Sequence, residues 1–197
     1  MKLVLASNNQ HKAQEFNELL NQKYFTISPS LKKINVDETG TTFFENAFLK
    51  AEQFYNELKT PVLSDDSGLV VAALPDELGV RSARFGGEKL TDRQRVELLL
   101  EKMKKFPTLE KRKATFYCVL CVYLAPNENY FFEGKMDGYI SHEIKGEHGF
   151  GYDPVFVPNE FIGENAKSFA EDPDFKAKNS HRAKACRLME KFFQERV

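Results

Sequence analysis

The chain has 197 residues, 42% of them hydrophobic, which suffices for one substantial core and is too short for several independent domains. Its 28 basic and 29 acidic residues leave a formal net charge of -1, so neither nucleic acid nor an anionic membrane is indicated as a general partner. No signal-type N-terminus is present and no apolar run approaches the roughly 18 residues of a membrane span, so a soluble, cytoplasmic protein is expected.

The first apolar run, Lys2 to Ala6, suits a buried strand, and Ser7-Asn8-Asn9-Gln10-His11-Lys12 follows with capping chemistry. Phe16, Leu19 and Leu20 then recur at helical spacing. A strand, a polar turn and a helix in that order bring backbone N–H groups and a lysine to one anion site, with phosphate as the natural guest. A well-capped connection with a solvated Lys12 is the plain alternative, and no G-x-x-x-x-G-K-[ST] loop occurs.

Phe25 to Ser28 reads as a short strand and Asn35 to Gly40 as an acidic loop. Thr42-x-x-Glu45 is a capping-box pattern, and Phe44, Phe48, Ala51, Tyr55 and Leu58 predict the core stripe of the helix it opens. Leu63-Ser64-Asp65-Asp66-Ser67-Gly68-Leu69 wedges two acids between apolar runs. At a strand end, like charges so close raise a pKa unless a cation is bound; a turn between two strands explains the same residues without one. Pro75 to Gly87 is a long irregular connection, and Thr91-x-x-Gln94 opens a helix carrying Val96, Leu99, Leu100 and Met103.

Ala114 to Ala125 and Asn129 to Lys135 predict a hairpin. Cys118 and Cys121 fall on opposite faces of its first strand, which disfavours a redox or zinc pair and leaves buried structural thiols. Gly146 to Phe156 surrounds an aromatic pair and an aspartate with glycines, a setting that lets a base stack or that simply makes a turn. Ser180 reads as an N-cap that puts His181 and Arg182 in the first turn of a last helix, whose buried side is drawn from Leu188, Phe192, Cys186 and Met189. Two basic residues there oppose the helix dipole unless an electronegative group lies beside them.

In this order, the segments Ser7 to Lys12, Glu38-Thr39-Gly40-x-x-Phe43-x-Glu45-Asn46-Ala47, Asp65 to Leu69, Phe150-Gly151-Tyr152-Asp153-Pro154 and Ser180-His181-Arg182-Ala183 closely resemble the inosine triphosphate pyrophosphatase family. The resemblance implies an α/β fold with an elongated mixed central sheet flanked by helices, residues 1–197 forming a single domain of two lobes with a substrate cleft between them. It further implies a homodimer that uses Mg2+ to hydrolyse ITP, dITP and XTP to the monophosphate and pyrophosphate. No nucleic-acid or membrane partner is implied.

Carried over by motif, Ser7, Asn8, Asn9, Gln10, His11 and Lys12 match the triphosphate loop. Asp66 matches the general base and metal ligand, and Ser67 a substrate contact. One of Asp37 and Glu38 matches a second metal ligand, with the register between them open. Phe150, Gly151, Tyr152 and Asp153 match the base-binding loop, Lys176 a further substrate lysine, and His181 with Arg182 the pair that reads the 6-oxo purine edge. Asn8 departs from the usual glycine, and the acidic, proline-broken Glu171 to Phe175 puts the register of Lys176 in question. Maf-like pyrophosphatases differ in the first loop, a dehalogenase-type phosphatase needs D-x-D spacing, and a silent nucleotide sensor is the rival from outside the enzymes.

Overall fold

A computed structural model describes residues 1–7, 10–163 and 166–196. Asn8 and Asn9, and the side chains of Gln10 and His11, lie outside the described residues. The elements are β1 (Lys2–Leu5), α1 (Gln10–Leu19), β2 (Thr26–Pro29), α2 (Phe43–Leu58), β3 (Val62–Val71), α3 (Asp92–Met103), β4 (Lys113–Ala125), β5 (Glu128–Ile140), β6 (Phe156–Pro158), α4 (Pro173–Asn179) and α5 (His181–Gln194). The strands form one sheet in the order β2-β1-β3-β4-β5-β6. β1 runs parallel to β2 and β3, and β5 antiparallel to β6, so the mixed α/β sheet expected from the sequence is present. Among the described residues no helix is long and apolar enough to cross a membrane.

Two compact units divide the chain. The first comprises Met1–Ser67, Cys118–Gly134 and His181–Val197. Its strands have period-two alternation, which sends successive side chains to opposite faces. On one face Leu3, Leu5, Leu63, Cys118 and Leu120 pack with Phe16 of α1 and Cys186 and Met189 of α5. On the other, Ala6, Val62, Val119 and Cys121 pack with Ala47, Ala51 and Phe54 of α2. Cys118 and Cys121 therefore do face opposite ways, both buried as free thiols.

The second unit comprises Gly68–Tyr117 and Lys135–Ser180. Leu69, Val71, Val96, Leu99, Met103, Phe116, Phe156 and Phe169 lie in its core. Arg112, 1% exposed, closes the C-terminal end of α3 by donating to the carbonyls of Met103, Phe106, Ile140 and Ser141. That satisfies a buried guanidinium entirely with main-chain acceptors, some of them the orphan carbonyls of a helix end.

Both capping boxes form: Thr42 with Glu45 at α2, and Thr91 with Gln94 at α3. Four residues of the stripe predicted for α2 lie on its core side, Ala51 fully buried and Phe48, Tyr55 and Leu58 packed against the same cluster; Phe44 does not. Phe44 is 42% exposed and packs sideways on Phe131, their rings 5.6 Å apart, while the fully buried residues are Asn46, Ala47, Ala51 and Phe54. Bulky phenylalanines dominate a hydrophobicity pattern, but small alanines are what let a helix approach a sheet closely. Leu188 is likewise exposed, at 50%, because the buried stripe of α5 runs through Ala185, Cys186, Met189 and Phe193. The hairpin is longer than predicted, β5 continuing to Ile140.

Candidate active site

β3 continues through Asp65 and Asp66 without a break, so the turn alternative is excluded and the pair lies within a strand, not at its end. What ends there is the neighbour. β1 pairs with Val62 and Leu63 of β3, then the chain leaves the sheet at Ala6 and Ser7 for α1. The acids thus stand just past the carboxyl end of an adjacent parallel strand, where open α/β sheets bind ligands.

Alternation along β3 separates the acids. Asp65 points to the face of α1 and α5, where its Oδ2 lies 2.8 Å from Arg182 Nη2 and 3.5 Å from Lys12 Nζ. The Ser67 hydroxyl donates to Oδ1, and the Cys118 thiol reaches the same oxygen at 3.5 Å. Burial alone would raise this carboxyl, but Arg182 foremost, then Lys12, hold it well below the usual carboxylate range. Arg182 Nη1 is also paired with Glu15 at 2.8 Å. The electronegative group demanded by a basic helix start is therefore supplied within the chain, by Asp65 and Glu15.

Asp66 points to the face of α2, as Ser64 does, whose hydroxyl donates to the Ala47 carbonyl at 2.5 Å. Its Oδ1 receives Lys50 Nζ at 2.6 Å, and Lys50 is shared with Glu38 Oε2 at 3.5 Å. Burial raises the Asp66 carboxyl to about 6; Lys50 opposes this, while Glu38 and Asp65 add to it. Burial works against the Lys50 ammonium, yet Asp66 and Glu38 outweigh it and raise its pKa. Asp66 Oδ2 is buried and receives no hydrogen bond among the described residues.

Beside both faces lies a cavity of about 260 Å³ lined by Ser7, Lys12, Asn35, Glu38, Lys50 and Asp65 among others. Asp37 is exposed and Glu38 half-buried, so of the two it is Glu38 that the loop turns toward Asp66. No group of three or more His, Cys, Asp or Glu poised to hold a metal occurs among the described residues. The donor set still fits a hard divalent cation that keeps waters and takes phosphate oxygens, because such an ion needs only one or two carboxylates. Glu38 and Asp66 already converge on one cation, the Lys50 ammonium, and Asp66 Oδ2 is a bare acceptor.

The remaining predicted residues lie in the second unit, except His181, which belongs to the first. Asp153, 2% exposed, accepts from the Phe150 amide at 2.9 Å and pairs with Lys176 at 2.5 Å. Gly149, at φ +81°, leaves that carboxylate its room, since a Cβ would come 2.2 Å from Asp153 Oδ2. Phe150 is half exposed with the Lys176 ammonium 4.3 Å from its ring centroid. Gly151 N–H donates to Asp92 at 2.9 Å and the Tyr152 hydroxyl to the Ser82 carbonyl at 2.7 Å. The proline that clouded the register of Lys176 is the first residue of α4, with Asp172 as its N-cap. His181 is the buried first residue of α5.

The sequence marks Lys50 only as a charge flanking the α2 face, solvated by default with Asp65-Asp66 as a possible partner, and does not mark Glu15. Lys50 had a signal, a lysine set between Ala47 and Ala51 on the buried side of α2; Glu15, on an open helix face, had none.

A mixed sheet with paired carboxylates flanked by lysines beside a parallel strand defines an α/β protein with a candidate site at that strand's end. A family model described as the Ham1 family matches residues 3–192, and the chain belongs to the Ham1 family. It is 40% identical to a protein of Oceanobacillus iheyensis named dITP/XTP pyrophosphatase, over 97% of each chain. An Aquifex aeolicus protein of the same name is 41% identical, over 96% of this chain and 95% of its own. The solved structure of the Staphylococcus aureus Ham1 protein superposes with a TM-score of 0.87 at 35% identity and full coverage of both chains. The family resemblance drawn from the motifs is borne out.

Proposed function

We propose that the protein is a Mg2+-dependent nucleoside triphosphate pyrophosphatase that hydrolyses ITP, dITP and XTP to the monophosphate and pyrophosphate, clearing non-canonical purines. The observation that carries this is the division of labour in the acidic pair: Asp65 is saturated by cations, whereas Asp66 keeps a bare oxygen opposite Glu38. The pyrophosphatase names of relatives near 40% identity over nearly the full chain support the reaction class.

In this reading Asp66 and Glu38, rather than Asp37, hold the metal, which when bound neutralises phosphate charge and polarises water. Ser7 to Lys12 receive the triphosphate, their backbone N–H groups and the Lys12 ammonium offsetting charge that moves to the leaving group. Asp66 positions the water and takes its proton; oxygen bonds to the α-phosphorus as the bond to the bridging oxygen breaks, and pyrophosphate departs. Ser67 contacts the substrate while fixing Asp65.

Phe150, half exposed, offers its ring to the purine, and Gly151, Tyr152 and Asp153 shape the loop that presents it. Lys176, held by Asp153, supplies a further positive charge to the substrate. His181, with Arg182 held beside it by Asp65 and Glu15, directs a donor at O6, so the amino group of adenine would leave a buried donor unpaired, a mismatch that disfavours ATP. A homodimer is the expected active species, to be checked by light scattering.

Pyrophosphate release is to be measured from ITP, dITP, XTP, ATP and GTP with and without Mg2+. Metal-dependent preference for the 6-oxo, non-canonical purines is expected. Equal rates on all five nucleotides contradict the specificity, and rates indifferent to a chelator contradict the metal.

A further inference from the structure

We propose that Asn46 is a positioning residue that acts through Gly40 to set the Glu38 carboxylate opposite Asp66. The inference rests on the reading of Glu38 and Asp66 as the metal-holding pair.

Glu38 lies on the irregular run between β2 and α2, with no strand or helix to fix it. A loop carboxylate serves as a ligand only when its backbone is held, and the chain holds this one from α2. The Asn46 side chain accepts the Gly40 N–H at 2.8 Å. Glu45 accepts the next two amides, Thr41 at 2.6 Å and Thr42 at 3.0 Å. The Glu45 bond to Thr42 belongs to the capping box and both Glu45 bonds are exposed; the Asn46 bond is made by a residue with 0% exposure.

The contact is close-fitting. A Cβ on Gly40 would lie 2.6 Å from Asn46 Oδ1, 2.7 Å from Glu45 Cβ and 3.0 Å from the Asn46 amide nitrogen, so only glycine lets the loop come down onto the helix. Asn46 also has a cost that packing does not explain. Its Nδ2 is buried with no hydrogen-bond partner among the described residues, so an apolar side chain would suit the position better if filling space were its task.

The same turn of α2 carries the other components. Ala47, the next residue, accepts the Ser64 hydroxyl of β3, two positions before Asp66, and Lys50, one turn on, bridges Asp66 and Glu38. Asn46 therefore ties the Glu38 loop to the helix that Ser64 ties to the Asp66 strand. Residues that orient a metal-holding carboxylate typically change metal affinity by about 10- to 100-fold when removed.

The test uses the full-length chain and Mn2+ as the probe, with binding followed by electron paramagnetic resonance in the absence of nucleotide. Asn46→Ala is expected to weaken Mn2+ binding at least about tenfold and to raise the metal concentration for half-maximal turnover more than it lowers kcat at saturating metal. Gly40→Ala, which disturbs the same contact from the loop side, is expected to do likewise and serves where Asn46→Ala does not fold. Glu38→Gln supplies the reference. Because Asn46 acts through Glu38, adding Asn46→Ala to Glu38→Gln should weaken Mn2+ binding no further. Additive losses would mark a merely structural residue and overturn the inference, as would wild-type Mn2+ affinity in a folded Asn46→Ala or Gly40→Ala chain. Unchanged Mn2+ affinity in Glu38→Gln would instead remove the metal-site reading itself, and the inference with it.

Discussion

The two faces of the sheet at Asp65 and Asp66 differ in how far their charges are balanced. On the face of α1 and α5, one carboxylate has two cations, and the buried guanidinium between Asp65 and Glu15 is bound at both ends. On the face of α2 the balance is lost: one ammonium serves two carboxylates, and an oxygen of Asp66 is left over. Adjacent acids on one strand thus have opposite fates, one pinned as a permanent anion and one raised to about 6. A balanced ion network builds structure, and an unbalanced one is ready for a further cation.

The strongest way to break this contrast is to remove the acid assigned to chemistry. Asp66→Asn should lower turnover by about 10³-fold, the scale expected for a positioned base, while the chain still melts cooperatively. Its effect on metal-free stability has a definite sign. With a folded pKa of about 6 against the ordinary 3.8, the folded chain keeps a proton that the unfolded chain has lost, so Asp66 lowers stability as pH rises through that window. Asp66→Asn should therefore flatten that decline when urea unfolding is followed between pH 4 and 7; an unchanged slope would count against it.

On the opposite face the main effect should be on stability. Arg182→Met leaves Asp65 buried with Lys12 as its remaining cation, and breaking a buried pair costs about 3–5 kcal/mol, read as a lower urea midpoint. The pH sign is reversed there. Because the Asp65 pKa is depressed on folding, its contribution is present above the ordinary 3.8 and is lost as pH falls below it. A loss under 1 kcal/mol would mean that Asp65 and Asp66 are not so different. The smallest effect is at the helix that carries Lys50: Thr42→Ala removes the cap of α2 and should cost about 1 kcal/mol of stability.

How much of this was legible in the sequence follows the range of the interactions. Capping boxes, the first strand and helix, and the glycine-aromatic loop are written within a few residues, and they are found where the sequence put them. The acidic pair was visible, but its asymmetry was not: Arg182 lies 117 positions from Asp65, and Glu15 lies 167 from Arg182. Nothing local announces such pairings. In the α2 stripe only Phe44 was misplaced, for a different reason, since its hydrophobic bulk outweighed the close-packing value of Ala47 in the pattern. Glu38 was separated from Asp37 only by its direction toward Lys50, a property of the folded loop.

The claim that the two acids are unlike is tested most directly by carboxyl carbon NMR of the 13C-aspartate-labelled chain, titrated with and without Mg2+. Assignments come from Asp65→Asn and Asp66→Asn. The prediction is that without metal the Asp66 signal titrates near 6, that Mg2+ displaces that midpoint downward, and that Asp65 stays ionised through the same range. A shared midpoint for the two carboxyls, or an Asp66 signal that ignores Mg2+, would contradict it.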